Sequence, residues 1–288
     1  MDKEQLQQGI TLLSQPVLPL VSMVQFFLFT GDFAAVGDIL RELPDPIETD
    51  FACYKDPAAL LAPYEEDIAR ILHVQNGAEL PYKVVNEAGQ EVDNMTATAA
   101  IVTHTILTRE LEQINSALCA PCNCRLCCVG PEQDMEQEFF EIPLGNGERE
   151  AFSVAVIDNA ASRGADAMDE SPLLVDEQPF YMAAAPAAIH WQKGWSLILP
   201  KGSSCPNLEL ESGRCTVYPV RPQVCRKPQI FPYILEPVVE QDGTLSAQAI
   251  RNTILAVVDC PYVQVLQDEI AAYAAACELD LIFKQNKG

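Results

Sequence analysis

The stretch that decides the fold holds five cysteines in ten residues and reads Cys119-Ala-Pro-Cys122-Asn-Cys124-Arg-Leu-Cys127-Cys128. It contains two C-x-x-C units, a spacing at which a tight turn points two sulfurs at one metal centre. Three more cysteines follow at ten-residue intervals in turn-rich sequence: Cys205, Cys215 and Cys225. Ordinary buried thiols and structural disulfides explain such clustering poorly, so these eight residues are the candidate ligands of zinc or an iron–sulfur cluster.

Composition restricts the class of protein. The 288 residues include 41 acidic and 18 basic ones, a formal net charge of -23, which argues against nucleic-acid and anionic-membrane partners. An apolar run from Val17 to Thr30 is shorter than the ~20 residues of a spanning helix and is interrupted by Pro19 and Gln25, so we expect a buried helix. The N-terminus has no features of a signal peptide, and we expect a cytoplasmic protein whose thiols stay reduced.

The periodicity of apolar residues predicts an α+β fold. A helical N-terminal region over 1–118 includes a helix that begins near Asp93 or Asn94 and delivers Cys119 at its end. A loop-rich cysteine domain is expected over 119–260, and a C-terminal helix packing on the core over 261–288. The expected strands are Phe139–Leu144, Phe152–Ile157 and Trp195–Leu199. Paired acids such as Glu110 and Glu112 are expected on solvated helix faces.

Basic residues gather beside the second cysteine group. Residues 201–227 hold five basic residues against two acidic ones, although the chain as a whole is acidic. Arg221 and Arg226 are therefore candidate cofactor-binding residues, because cations offset the negative charge of a thiolate centre or receive an anionic substrate. The alternative is solvated loop charge. Cys260 and His190 are weaker candidates for ligands, and Cys53 and Cys277 are expected to play no part in the site.

The second cysteine group resembles that of a known family. Cys205-Pro206-Asn207-Leu208, Cys215-Thr216-Val217-Tyr218 and Arg221-Pro222-Gln223-Val224-Cys225-Arg226 are similar to the C-terminal motif of the YkgJ-like CxxCxxCC family of zinc- or iron-chelating proteins. The first group departs from the family pattern, because the first family cysteine falls on Pro121. Which of Cys119, Cys122 and Cys124 are ligands therefore stays open. The family is also distantly similar to flagellin lysine N-methylase, an iron–sulfur protein that acts with S-adenosylmethionine.

Three functions fit this pattern. The first is an iron–sulfur protein with redox or enzymatic activity, which the surplus of cysteines and the resemblance favour. The second is a structural zinc module that serves a protein partner and needs four thiolates with no open position. The third is metal handling, in which the surplus cysteines pass an ion onward. Protein N-methylation with S-adenosylmethionine is a more distant alternative.

Overall fold

The structure, a computed structural model, describes residues 3–122, 124–227, 229–239 and 245–285. Helices, small sheets and loops form the α+β arrangement that the sequence predicts. The chain divides into two compact units. Unit 1 combines the chain up to residue 118 with residues 229–285, and unit 2 comprises residues 119–227. Sequence analysis grouped residues 229–260 with the cysteines, whereas here they pack within unit 1.

The helices are, in chain order, α1 (Gln7–Leu13), α2 (Leu18–Thr30), α3 (Val36–Glu42), α4 (Pro57–Leu61), α5 (Glu65–Gln75), α6 (Asn94–Cys122), α7 (Gln223–Arg226), α8 (Pro261–Val265) and α9 (Gln267–Ala276). The strands are β1 (Ile47–Glu48), β2 (Cys53–Tyr54), β3 (Val84–Val85), β4 (Phe139–Leu144), β5 (Ala155–Ile157), β6 (Leu174–Val175), β7 (Gln178–Pro179), β8 (Ala187–Trp191), β9 (Gly194–Pro200), β10 (Leu208–Glu209), β11 (Arg214–Cys215), β12 (Ile230–Val239), β13 (Leu245–Val257) and β14 (Asp280–Lys284).

Helix α6 is the longest helix of unit 1. The carboxylate of Asp93 caps it by accepting the backbone N–H groups of Met95 (2.9 Å) and Thr96 (3.0 Å). The expected apolar stripe is buried along its whole length: Leu107, Leu111, Ile114 and Leu118. The prediction of this helix and of its start is therefore confirmed, and Cys119 lies in its last turn.

Glu110 corrects one prediction about α6. It was expected on a solvated face, but it is 5% exposed and lies in the core of unit 1. Its carboxylate accepts hydrogen bonds from the backbone N–H of Val17 (2.9 Å) and from the hydroxyl of Tyr273 (2.7 Å). These two donors make burial of a carboxyl tolerable and tie α6 to the start of α2 and to α9.

Asn115 forms a second polar anchor one and a half turns later. Its side-chain oxygen accepts hydrogen bonds from the backbone N–H groups of Gln229 and Ile230 (both 3.1 Å) and from the hydroxyl of Tyr262 (2.9 Å). Its amide donates to the carbonyl of Ile230 (2.6 Å). Asn115 therefore fixes α6 to the start of β12 and to α8.

The sheet of unit 1 is built on β13. It pairs with β12 on one edge in antiparallel fashion, and with β14 and β3 on the other edge in parallel fashion. The expected C-terminal helix over 261–288 is therefore wrong in its last part, since residues Asp280–Lys284 form a strand. Helix α9 ends at Ala276, and Glu278 adopts a left-handed conformation (φ 56°) that turns the chain back to β13. The expected apolar face is nevertheless buried: Val263, Leu266, Ile270, Tyr273 and Cys277.

The apolar run near the N-terminus forms α2. One helical stretch, residues 3–30, is long and apolar enough to cross a membrane by length and composition, and half of its apolar window is buried within the protein. Leu20, Val21 and Val24 lie in the core, whereas Phe26 is exposed.

Unit 2 is organised around a four-stranded sheet in the order β4-β9-β8-β5. Strands β4 and β9 match the predicted strands closely, whereas β5 covers only the last three residues of the predicted Phe152–Ile157. One apolar cluster gathers Phe180, Ile189 and Trp191. A second cluster contains Leu197 and Leu199 of β9, and Cys205 packs against it. The sheet thus supports the loop that carries the second cysteine group.

Candidate metal centre

Two distant segments pair beside the sheet of unit 2 and bring the two cysteine groups together. The backbone N–H of Cys205 donates to the carbonyl of Cys128 (2.7 Å), and the N–H of Gly130 donates to the carbonyl of Ser203 (2.9 Å). Val129 and Ser204 form an antiparallel bridge between these bonds. Cys128 and Cys205, 77 positions apart in the sequence, therefore lie side by side.

Gly130 permits this pairing. A Cβ atom at this position would lie 2.1 Å from the carbonyl oxygen of Pro200, which is far inside van der Waals contact. Only glycine allows the backbone to approach the end of β9 so closely. The second residue after the cysteine cluster is thus constrained by the approach of β9.

Short elements position the remaining cysteines of the second group. Cys215 lies in β11, which forms a hairpin with β10 in which Cys215 is opposite Leu208. Cys225 lies in α7, a single turn whose first backbone N–H donates to the carboxylate of Glu148 (2.8 Å). The side chain of Asn207 donates to the carbonyl of Ala151 (2.9 Å) and fixes the loop before the hairpin.

Four cysteines form the centre of the cluster. Burial raises the pKa of the Cys128 thiol, and the charges of four neighbouring thiolates raise it further: those of Cys205, Cys127, Cys225 and, with the smallest effect, Cys119. Burial likewise raises the pKa of Cys225 to about 12, with Cys205 again the largest charged neighbour that raises it. These thiols are therefore close enough for their charges to interact, and a cation would relieve the repulsion between them.

Three cysteines of the first group form a second set. Burial raises the pKa of Cys119, and Arg221 opposes this rise by hydrogen bonding to the thiol. The pKa of Cys122 is raised chiefly by a hydrogen bond between its thiol and that of Cys124. Cys215 lies between the two sets, because its charge raises the pKa values of both Cys119 and Cys225.

Arg221 is a buried cation at the cluster, with 5% of its surface exposed. Its guanidinium lies 4.1 Å from the centroid of the Tyr218 ring. It lowers the pKa values of Cys119 and Cys225, although burial outweighs this effect at both thiols. Arg221 therefore offsets part of the cost of ionising these two thiols.

The donor set fits a thiolate-bound metal. Two buried polar atoms beside the cysteines have no hydrogen-bond partner among the described residues: Nε of Arg226 and Oγ of Ser203. Both atoms can donate a hydrogen bond, and thiolate sulfurs that carry negative charge accept such bonds in metal centres. Within the described part of the chain, no three His, Cys, Asp or Glu side chains already have the arrangement of an ion site.

The weaker candidates lie elsewhere. Nδ1 of His190 lies 3.1 Å from the carboxylate of Asp158, and its ring stacks on Trp195 at 4.5 Å. Cys260 is buried in unit 1 at the start of α8. Cys277 is buried in the same unit, and Cys53 is exposed.

A comparison with protein-family models identifies this region. Residues 118–248 match the family CxxCxxCC, described as "Putative zinc- or iron-chelating domain". These residues, slightly less than half of the chain, are similar to a CxxCxxCC domain. The match includes all eight clustered cysteines and leaves out Cys53, Cys260 and Cys277. A search of curated proteins and a search of solved structures found no match. The family description supports zinc or iron as the metal of the CxxCxxCC domain.

Sequence reasoning missed two contributors to the site. Gly130 had a weak signal, since a glycine two residues after a cysteine cluster is consistent with a turn or a close backbone approach. The stacking of Arg221 on Tyr218 joins residues three positions apart, but a spacing alone does not reveal a cation–π contact.

Proposed function

We propose that the CxxCxxCC domain holds an iron–sulfur cluster in a cytoplasmic protein, and that the cluster serves electron transfer or catalysis. The observation that carries the proposal is the gathering of eight thiols in unit 2, twice the number that one zinc ion takes. Reduced thiols in this number need a reducing compartment, which supports the cytoplasm.

The primary ligands in this proposal are Cys127, Cys128, Cys205 and Cys225. Cys128 has the other three among its charged neighbours, together with Cys119. Cys225 has Cys205, Cys215 and Cys127. Cys127 and Cys128 are adjacent, and adjacent side chains bind one ion with difficulty because their Cα–Cβ bonds diverge. A multinuclear cluster removes this conflict, since each thiolate can bind a different iron atom.

The residues around the cluster have separate tasks. Arg221 and Arg226 would offset the negative charge of the bound thiolates, and the free N–H of Arg226 would donate to sulfur. The packing of Cys205 against the apolar cluster of β9 would exclude water from one side of the centre. When bound, the cluster would supply one-electron redox chemistry or a Lewis-acidic iron.

The test is metal and acid-labile sulfide analysis, with a visible spectrum, on the full chain purified without oxygen. Brown protein that contains iron and sulfide in similar amounts would support the proposal, and S-adenosylmethionine binding would be tested next. Stoichiometric zinc without sulfide would overturn the cluster and favour the structural or metal-handling alternative. Protein that binds neither metal would overturn the metal centre itself.

A matched pair of variants locates the ligands. Cys128→Ser should lose most of the metal, because Cys128 lies at the middle of the proposed ligand set. Cys53→Ser, which removes an exposed thiol of unit 1, should keep all of it. Full metal retention in a Cys128→Ser protein with the native circular dichroism spectrum would contradict the ligand assignment.

A further inference from the structure

The sheet of unit 1 ends in strands that differ in how their outer edges are protected. An edge strand presents backbone groups to which another chain can add a strand, and proteins block such edges with proline or charge. Strand β12 carries Pro232 and Pro237, which have no N–H to donate. Strand β14 reads Asp280-Leu-Ile-Phe-Lys284 and contains no proline. Within the described part of the chain, β14 pairs with β13 alone, so its outer edge is open to a further strand.

The side chains of β14 are also exposed. Ile282 is 52% exposed and Phe283 is 38% exposed. Asp280 and Lys284, at the two ends of the strand, are exposed as well. An edge strand that exposes apolar side chains favours pairing with another chain, because pairing removes apolar surface from water.

The backbone groups of Leu281 and Phe283 point away from the sheet. The carbonyl of Lys284 accepts the backbone N–H of Val258 (2.9 Å), so the backbone groups of Lys284 face the side of β13. The backbone groups of successive residues in a strand point to opposite sides. Those of Ile282 therefore face β13 too, whereas those of Leu281 and Phe283 face outward.

We propose that β14 pairs with β14 of a second copy of this chain, in antiparallel fashion about a two-fold axis at Ile282. In this register Leu281 lies opposite Phe283 of the second copy, so their outward N–H and C=O groups form a hydrogen-bonded pair. Asp280 lies opposite Lys284 of the second copy at both ends of the paired strands. The strand is therefore complementary to itself in backbone geometry and in charge, which identifies a second copy as the occupant of this edge.

Charge and apolar surface have different roles in this dimer. The formal net charge of -23 on each copy opposes association. Burial of Ile282 and Phe283 supplies the attraction. Exposed ion pairs add little affinity, so the pairs of Asp280 with Lys284 fix the register of the strands. We therefore expect a reversible dimer whose population rises with protein concentration.

The experiment is sedimentation velocity on the full chain over a series of concentrations, in reducing buffer so that no disulfide links the copies. The native chain should shift from the mass of one chain to the mass of two as the concentration rises. Ile282→Lys should remain a monomer over the same series, because it places two like charges opposite each other on the two-fold axis. Its native circular dichroism spectrum would show that the fold is kept.

Charge reversal tests the register separately. Asp280→Lys makes the chain less acidic, which by overall repulsion alone would tighten the dimer, as the matched control Glu66→Lys on the exposed face of α5 should. The register instead predicts that Asp280→Lys weakens the dimer about tenfold relative to that control, since like charges then lie opposite each other at both ends. The double variant Asp280→Lys with Lys284→Asp should restore the native dissociation constant.

Three results would overturn the inference. The first is a native chain that keeps the mass of one copy at every concentration. The second is a dimer that Ile282→Lys leaves intact, which would place the interface elsewhere. The third is a double variant that dimerises no better than Asp280→Lys, which would exclude the antiparallel register.

Discussion

Replacing Glu110 by glutamine should change the pH dependence of stability. Burial raises the pKa of Glu110 to about 7 from its usual 4.5, although the hydrogen bonds from Tyr273 and Val17 oppose the rise. The folded protein therefore binds a proton more tightly than the unfolded chain does. The stabilisation from this proton is fully present below pH 4.5 and is lost as the pH rises through 7.

The size of the effect on stability follows from the rise in the pKa of Glu110. A pKa rise from 4.5 to about 7 reduces the unfolding free energy by about 2 to 3 kcal/mol between pH 5 and pH 8. Glutamine is neutral at both values. Its oxygen can accept from the N–H of Val17, and its amide can donate to the hydroxyl of Tyr273, so both contacts persist in altered form.

Urea denaturation of the native chain and of Glu110→Gln, followed by circular dichroism at 222 nm, measures the difference. The stability of the variant relative to the native chain should increase by about 2 to 3 kcal/mol from pH 5 to pH 8. Glu66→Gln is the matched control, because Glu66 is exposed on α5. A gap between Glu110→Gln and the native chain that is the same at both pH values would refute the raised pKa.

Three further predictions follow, two for unit 2 and one for the polar anchor of α6 in unit 1. Cys128→Ser should remove most of the metal measured by mass spectrometry of native protein, whereas Cys53→Ser should remove none. Gly130→Ala should destabilise the metal-free protein by about 1 to 3 kcal/mol, because its Cβ meets the carbonyl of Pro200 at the end of β9; unchanged stability would contradict that contact. Asn115→Ala should cost about 2 to 4 kcal/mol, since it removes both the acceptor of the buried Ile230 N–H and the donor to the Ile230 carbonyl, whereas Gln113→Ala on the exposed face should stay within about 0.5 kcal/mol.

The elements that sequence predicted well are those specified by local pattern. Helix α6 has a capping Asp93 and a long apolar stripe, so both its start and its buried face were predictable. Strand β14 was missed because Leu281 lies four positions after Cys277 and so continues the helical spacing of the apolar face of α9. The conformation of Leu281 and Ile282 is decided by pairing with β13, more than 20 positions earlier in the sequence. The local pattern of apolar residues does not indicate which distant strand they pair with.

The candidate metal centre likewise has features that local sequence predicts and features that depend on tertiary contacts. Spacing alone selected the eight cysteines, and the family match covers all of them. Their grouping depends instead on the backbone bonds between residues 128–130 and 203–205. The burial of Glu110 could not be predicted from the sequence, because a glutamate within a helix is usually solvated. Only its hydrogen bonds with Val17 and Tyr273 in the folded protein show that it is buried.

Both units contain buried acidic groups, and these groups are kept neutral or paired in different ways. A buried acid must either keep its proton or find a positive partner. Glu110 has two hydrogen-bond donors and a pKa of about 7, so a single proton suffices to neutralise it near physiological pH. The thiols of Cys128 and Cys225 have pKa values far above neutrality, and each resists ionisation more strongly when its neighbour is charged. Only a cation that binds several sulfurs at once can displace these protons together, so metal binding must release protons and become tighter as the pH rises. Arg221 carries a single positive charge and therefore offsets only part of this cost. A metal that binds several sulfurs at once offsets more of it than further arginines beside the cluster would.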